Sequence, residues 1–598
     1  MLFRSRTAVA AARAVERGGT PGAAAALFDR GLALWPRVAE PEPLAGVEHT
    51  TLLTLAARAH GLDADEAHAI KLYEQALGQI EEEDEPHRVA GILAELAAAR
   101  WAMGKAEAAR ADLDRALALL PESEPSPERA TILEQKARFL LLQGRFAESR
   151  DAADEALRAA EAAGVEDTKA LVLNRLGLCL FLLGEEERGE PAMRESLELA
   201  RRSGSNDQLA TCIVNYADAL HMSGRGEEAA ELAAQGEREI TPGDRSALWI
   251  ACAHSEILFY LGRWDEAEAV LPDRNRGQGT ATLANLLLRR ASLLLGRGDT
   301  EGARKMVEHA RTFFADSVEP QYIAPAGALA VELELRCGNV EAAREAAEKA
   351  IDQLEFCSDD AARMALISAA ATAVEAEAAE HARDLGDTTE LAAAQLRAEL
   401  GAARTAAAAE TTGRRLECAY QLTAEAHLAR ARDDADAAAR ATAAADAWDE
   451  LPRPYQAALM RLREAEAHAA TGGREAAGAA AARALAEAEQ LGSEWLAAEV
   501  AGLIARGRLP TGATTDAAGG DGNGSGAGSG GDDNPFGLTP RERQVLAALA
   551  EGATNREIAA SLFMAEKTAS VHVSRILAKL DVRSRTEAAA VAHRLSLV

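Results

Sequence analysis

Lys567, Ser570, Val571, Ser574 and Arg575 fall at helical spacing on one side of a segment whose other side, Ala569, Val573, Ile576, Leu577 and Leu580, is apolar. Small, polar and basic groups with one β-branched residue are what a helix seated in a DNA major groove presents. A serine hydroxyl donates to or accepts from a base edge, and a valine side chain meets a thymine methyl. Thr568, Lys579, Arg583 and Arg585 flank that face and are placed to hold phosphates, contacts that orient without reading sequence. Thr554, which opens the preceding helix, completes the candidate set.

Short helices must position these side chains, and their starts are visible. Thr539 as N-cap, Pro540 at the first helical position and Glu542 three residues on predict a capping box; Thr554 with Glu557 and Ser584 with Glu587 repeat it. The first helix packs through Val545, Leu546 and Leu549 and stops near Gly552, which suits a left-handed turn. The second is expected over 555–563, with Ile558 and Leu562 inward and Ala559 small enough for a close crossing. The third is expected over 567–580 and the fourth over 586–597, the second and third being spaced as a helix-turn-helix. Residues 534–598 sum to +3 in a chain of −30, so everything upstream sums to −33. A positive tip on an acidic body fits one dedicated nucleic-acid surface, since phosphate would repel the body.

Leu538-Thr539-Pro540-Arg541-Glu542-Arg543, Thr554-Asn555-Arg556-Glu557-Ile558-Ala559, Lys567-Thr568-Ala569-Ser570-Val571-His572-Val573-Ser574 and Leu577-Ala578-Lys579-Leu580 together resemble the LuxR-type DNA-binding domain over the whole of 534–598. The resemblance implies double-stranded DNA as partner, with Ser570, Val571 and Ser574 facing bases and the third helix in the major groove. It also implies a fourth helix that pairs two domains as a homodimer on a two-fold site, and RNA polymerase as a further contact. This sequence departs from the pattern in two ways. Many relatives carry lysine where Ser570 or Ser574 stands here, which leaves the target sequence unassigned, and the usual N-cap serine before the third helix is Ala565.

Upstream, 509–533 reads LPTGATTDAAGGDGNGSGAGSGGDD, too poor in apolar residues to offset its ordering entropy and hence expected as a flexible tether. Residues 1–508 carry a repeat. Gly104, Gly144, Gly184, Gly224, Gly262, Gly298 and Gly338 are each followed five residues later by a small residue: Ala109, Ser149, Gly189, Ala229, Ala267, Ala303 and Ala343. Steps of 40, 40, 40, 38, 36 and 40 residues predict helical hairpins, tetratricopeptide-like with lengthened helices, stacked into a superhelix whose concave face would take an effector or a protein partner. Gly61 is a weaker match and Gly472 with Ala477 a later one, while 375–432 shows no glycine marker. The fold class expected is all-α: a tetratricopeptide-like solenoid plus a four-helix helix-turn-helix domain.

Phe259-Tyr260-Leu261-Gly262-Arg263-Trp264-Asp265-Glu266-Ala267 and Ala447-Trp448-Asp449-Glu450-Leu451-Pro452-Arg453-Pro454-Tyr455 resemble the repeat region of the large ATP-binding LuxR-family regulators of actinobacteria. In those proteins a P-loop ATPase precedes the repeats. No Gly-x-x-x-x-Gly-Lys-Ser/Thr occurs here, so either the regulator lacks the ATPase or the reading frame starts late.

Other chemistry is sparse. Cys179, Cys212, Cys252, Cys337, Cys357 and Cys418 stand singly and read as reduced core thiols; the twelve histidines are dispersed, with no His-Glu-x-x-His. Neither metal nor cofactor is expected, and an enzyme is disfavoured. Arg4 and Arg6 precede an Ala-Val stretch that Arg13, Glu16 and Arg17 interrupt well short of a signal-peptide core, and no apolar run reaches membrane-spanning length. The expectation is a cytoplasmic, nucleoid-acting transcriptional regulator without a membrane partner. The alternative is a repeat scaffold for protein binding with weak or secondary DNA binding.

Overall fold

A computed structural model describes residues 21–63, 65–121, 125–240, 245–272, 280–314, 317–355 and 359–510. Further on it describes 538, 540–550, 553–554, 557–559, 572–573, 575–577, 579–580, 582 and 585–594. Every regular element among them is a helix. Two units separate, Met1–Gly512 and Ala513–Val598. The interrupted Ala-Val stretch near the start, Cys357 and the tether over 511–533 lie outside the described residues.

In the first unit helices pair as hairpins, among them Pro86–Ala102 with Ala106–Ala118, Glu166–Leu182 with Glu186–Ser203, Asn206–Met222 with Gly226–Glu239, and Pro454–Ala470 with Arg474–Leu491. Some starts are capped by a side-chain oxygen: Ser126 accepts from the N–H of Arg129, and Asp360 from that of Arg363. The seven marker glycines all take the left-handed backbone, with φ between 69° and 111°. At Gly224 its own N–H reaches His221 O at 3.1 Å and the Arg225 N–H reaches Leu220 O at 2.9 Å, so two otherwise orphaned carbonyls at the helix end are satisfied. The small residue five places on lies where the second helix crosses the first most closely. Ala109, Ser149, Ala229, Ala267, Ala303 and Ala343 are all 0% exposed. A Cβ on Gly189 would come within 2.7 Å of Gly177 O, and Ser149 fits by donating its hydroxyl to Ala137 O at 2.7 Å.

Two expectations need correction, and one open boundary is filled in. Gly61 marks no turn: it lies inside the helix His49–Leu62, and Asp63 and Asp65 make the reversal. The hairpins within 375–432, whose boundaries no glycine with a small fifth-place partner marks in the sequence, have definite bounds. Ala361–Leu385 turns through Gly386 (φ 69°) into Thr388–Thr412, and Arg415–Arg432 turns through Asp433 (φ 61°) into Ala437–Glu450. Neither turn shows the sequence signal, because Leu391 follows Gly386 at the fifth place and aspartate replaces glycine at 433, a substitution the left-handed region tolerates. Cys337 is exposed at a helix C-terminus and so is no core thiol, whereas Cys179, Cys212 and Cys252 are buried, burial pushing the thiols of Cys179 and Cys252 up to about 12. Leu509, the first residue of the expected tether, packs into the core of the first unit at 6% exposure.

Hairpins distant in sequence meet. Trp101 Nε1 donates to Glu319 at 3.1 Å, Arg414 Nη1 to Phe181 O at 3.2 Å and Ser493 Oγ to Gly296 O at 2.6 Å, while Arg453 Nη2 meets His221 Nε2 at 3.1 Å. These partners stand 197 to 233 residues apart. Each joins the turn of an early hairpin to the start of a much later helix, so one turn of the superhelix rests directly on the next. One hydrophobic core accordingly runs from Leu141 to Leu509. Arg363, on a later helix, reaches Asp218 at 3.8 Å, so charged groups of the two turns also meet.

Candidate nucleic-acid interface

The second unit builds its own core from Leu538, Val545, Leu546, Leu549, Ile558, Ala559, Val573, Ile576, Leu580, Ala588, Val591 and Ala592. Every apolar position that the sequence assigns inward and that is described here lies in this core or, as Leu577 does, packs against it. Helices Pro540–Ala550 and Arg585–Arg594 pack on each other. The last helix begins one residue before its expected start, within ordinary boundary variation.

Thr554 and Glu557 form the expected capping box. Glu557 Oε2 accepts from the Thr554 N–H at 2.7 Å and from its hydroxyl at 2.8 Å, and the Glu557 N–H donates back to Thr554 Oγ1 at 3.3 Å. The backbone N–H of Thr554, and then its hydroxyl, hold the Glu557 carboxyl below its ordinary range. Thr554 is exposed, and it fixes where the second helix of the helix-turn-helix begins.

Arg575 is exposed and lies beside Val573 and Ile576, both buried, so its turn of helix presents a cation outward while anchoring inward. Arg585 is exposed as well. Its Nη2 donates to the carbonyl of Ala553, which ties the start of the last helix to the residue before Thr554. Lys579 carries a competing role: its Nζ donates to Glu542 Oε2 at 2.6 Å, and Glu542 is 3% exposed. The lysine expected at a phosphate thus neutralises a buried carboxylate on the first helix. Lys567, Thr568, Ser570, Val571, Ser574 and Arg583 lie outside the described residues, as do Ala565 and Ser584.

Sequence reasoning missed the pairing of Glu542 with Lys579, whose only signal is that each lies in a stretch carrying the family resemblance. It also missed a cluster in the first unit, where Asp29, His60 and His68 come together from three helices.

Residues 537–592 match the family model of bacterial regulatory proteins, luxR family, and residues 168–238 match a tetratricopeptide repeat model. The transcriptional regulatory protein LiaR of Bacillus subtilis is 52% identical over 61 residues, 10% of this chain and 29% of that protein. The DNA-binding transcriptional activator DevR/DosR of Mycobacterium tuberculosis is 52% identical over 59 residues, 10% of this chain and 27% of that one. This chain thus spans less than a third of the length of these curated relatives. Among solved structures, a Rap protein complexed with competence and sporulation factor superposes with a TM-score of 0.41 at 13% identity, covering 60% of this chain and all of that one.

Proposed function

Residues 537–592 being a domain of the luxR family, we propose that the protein is a transcriptional regulator that binds double-stranded DNA at a specific sequence. The match over 537–592 carries this reading, and the separate core of the second unit supports it. In this reading Ser570, Val571 and Ser574 face bases with Lys567 and Arg575 on the same groove-facing side, while Thr568, Lys579, Arg583 and Arg585 flank it toward phosphates and Thr554 sets the start of the supporting helix. The bound form is a homodimer paired through the last helix, in contact with RNA polymerase on the nucleoid. The solenoid takes an effector or a protein partner, and its net charge of opposite sign lets it restrain the DNA-binding unit weakly until that partner arrives.

Competition binding of the full chain across a randomised site library tests the assignment. Val571→Ala and Ser574→Ala are expected to change base preference. Arg583→Ala, on the flank, is expected to weaken all sequences alike and to lower the salt slope by about one. Equal loss on every sequence for the first two overturns the base-facing assignment. The tetratricopeptide match over 168–238 favours a second reading, a protein-binding scaffold; retardation of DNA without any sequence preference would support it.

A further inference from the structure

Helix Pro21–Leu34 packs on the hairpin of His49–Leu62 and Glu66–Leu77. Each of these three helices sends one donor to the same point. His60 Nε2 lies 3.1 and 3.0 Å from the two oxygens of Asp29, and His68 Nε2 lies 3.8 Å from Asp29 Oδ1. The two imidazoles stand against each other with ring centroids 4.3 Å apart. All three donor atoms lie within 4.8 Å of one another.

We propose that Asp29, His60 and His68 form a three-ligand site for a divalent transition-metal ion, zinc above all. Two imidazole nitrogens and a carboxylate oxygen suit a borderline cation, and three protein ligands leave a fourth, water-filled position. Donors bonded to zinc at about 2.0–2.1 Å in a tetrahedron lie about 3.3 Å apart, and the Asp29–His60 and Asp29–His68 separations of 3.0 and 3.8 Å stand on either side of that value.

A fourth residue gives the cluster a direction. Asp65 Oδ2 lies 3.6 Å from His60 Nδ1, on the side of the ring away from Asp29, and Asp65 Oδ1 is held by the N–H of His68 as the N-cap of its helix. The 3.6 Å separation is longer than a hydrogen bond, but a small rotation of the half-exposed Asp65 carboxylate would bring it within reach of a proton on Nδ1 and leave the Nε2 lone pair to ligate, the outer contact that orients metal-bound histidines. Asp29 and Asp65 together balance a dication, so the imidazoles bind as neutral ligands. A hydrogen bond between His60 and Asp29 accounts for those two residues; it does not account for a second imidazole turned to the same carboxylate. Bound metal would staple the first described helix to the hairpin after it.

Equilibrium dialysis of the full chain against zinc alone, with metal analysis, is the test, and cobalt substitution gives a spectroscopic readout of tetrahedral coordination. The wild type is expected to retain one equivalent that His68→Ala and Asp29→Asn lose, with unchanged circular dichroism. Asp65→Asn is expected to retain it about 10- to 100-fold more weakly. His68 and Asp29 are both about two-fifths exposed in their side chains, so these variants are expected to fold. A wild type that retains no zinc, or variants that retain as much as it does, would overturn the site.

Discussion

His221 shows how single residues in this chain are held in one protonation state. It is 7% exposed, packs beside Tyr260 with ring centroids 5.1 Å apart, and turns Nε2 to the guanidinium of Arg453. Burial first, and then the charges of Arg453 and Arg289, push its pKa well below the ordinary 6.5. The unfolded chain therefore binds the proton that the folded chain refuses. The stability that neutral His221 carries is complete above about pH 6.5 and is lost as pH falls below it. His427, buried beside Arg430 and Arg463, acts in the same direction. Urea melts from about pH 8 down to about pH 5 are expected to show falling stability, with a shallower slope in His221→Gln. In the second unit, Lys579→Met is expected to cost about 1–3 kcal/mol because it removes a cation held at 2.6 Å from a buried carboxylate. Glu542→Gln and the double variant complete a cycle, and additivity within about 0.5 kcal/mol would show the pair to be uncoupled. A structural role for Lys579 leaves the salt slope of DNA binding unchanged, whereas a phosphate contact lowers it by about one.

Among the elements, the glycine turns separate two demands that sequence alone merges. Gly262 and Gly338 have nearly the same backbone, φ 76° and 73°. A Cβ at Gly262 would sit 2.7 Å from Leu491 Cδ2 and from Pro454 Cγ, while one at Gly338 would meet nothing within 4 Å. Gly338→Ala is therefore expected to cost only the left-handed penalty, roughly 1–2 kcal/mol. Gly262→Ala adds overpacking worth about 1–3 kcal/mol more; chemical denaturation of the two variants measures the difference directly. The turns were legible because a left-handed backbone restricts residue type, and the small partners because close helix crossing restricts volume. Gly386 and Asp433 were missed for the same reasons in reverse, one lacking a small partner and the other not being glycine. In the second unit the buried stripe was legible from its 3.6-residue period, which governs Val573, Ile576 and Leu580 alike. Periodicity says nothing of which side chains meet across helices, so the ties between Lys579 and Glu542 and among Asp29, His60 and His68 could not be read from it.

At the level of the whole first unit, contact between successive superhelical turns changes how repeats communicate. In an open solenoid each repeat feels only its neighbours. Here Leu451 Cδ2 lies 2.8 Å from where a Cβ would stand on Gly224. Leu451→Ala is expected to raise hydrogen exchange around the Gly224 turn more than around the turn at Asp433, although Asp433 is far nearer in the chain. Hydrogen-exchange mass spectrometry of the full protein checks this, and a response confined to the nearest hairpins would show that the turns touch without coupling. The same stacking bears on synthesis. The partners of Trp101, Phe181, His221 and Gly296 lie 197 to 233 residues downstream. At ribosomal rates of about 5–20 residues per second, each early hairpin waits on the order of 10–50 s before its cover has even been translated. For that interval the nascent chain presents finished helices with an uncovered upper surface, so the unit does not fold to completion hairpin by hairpin as it is synthesised.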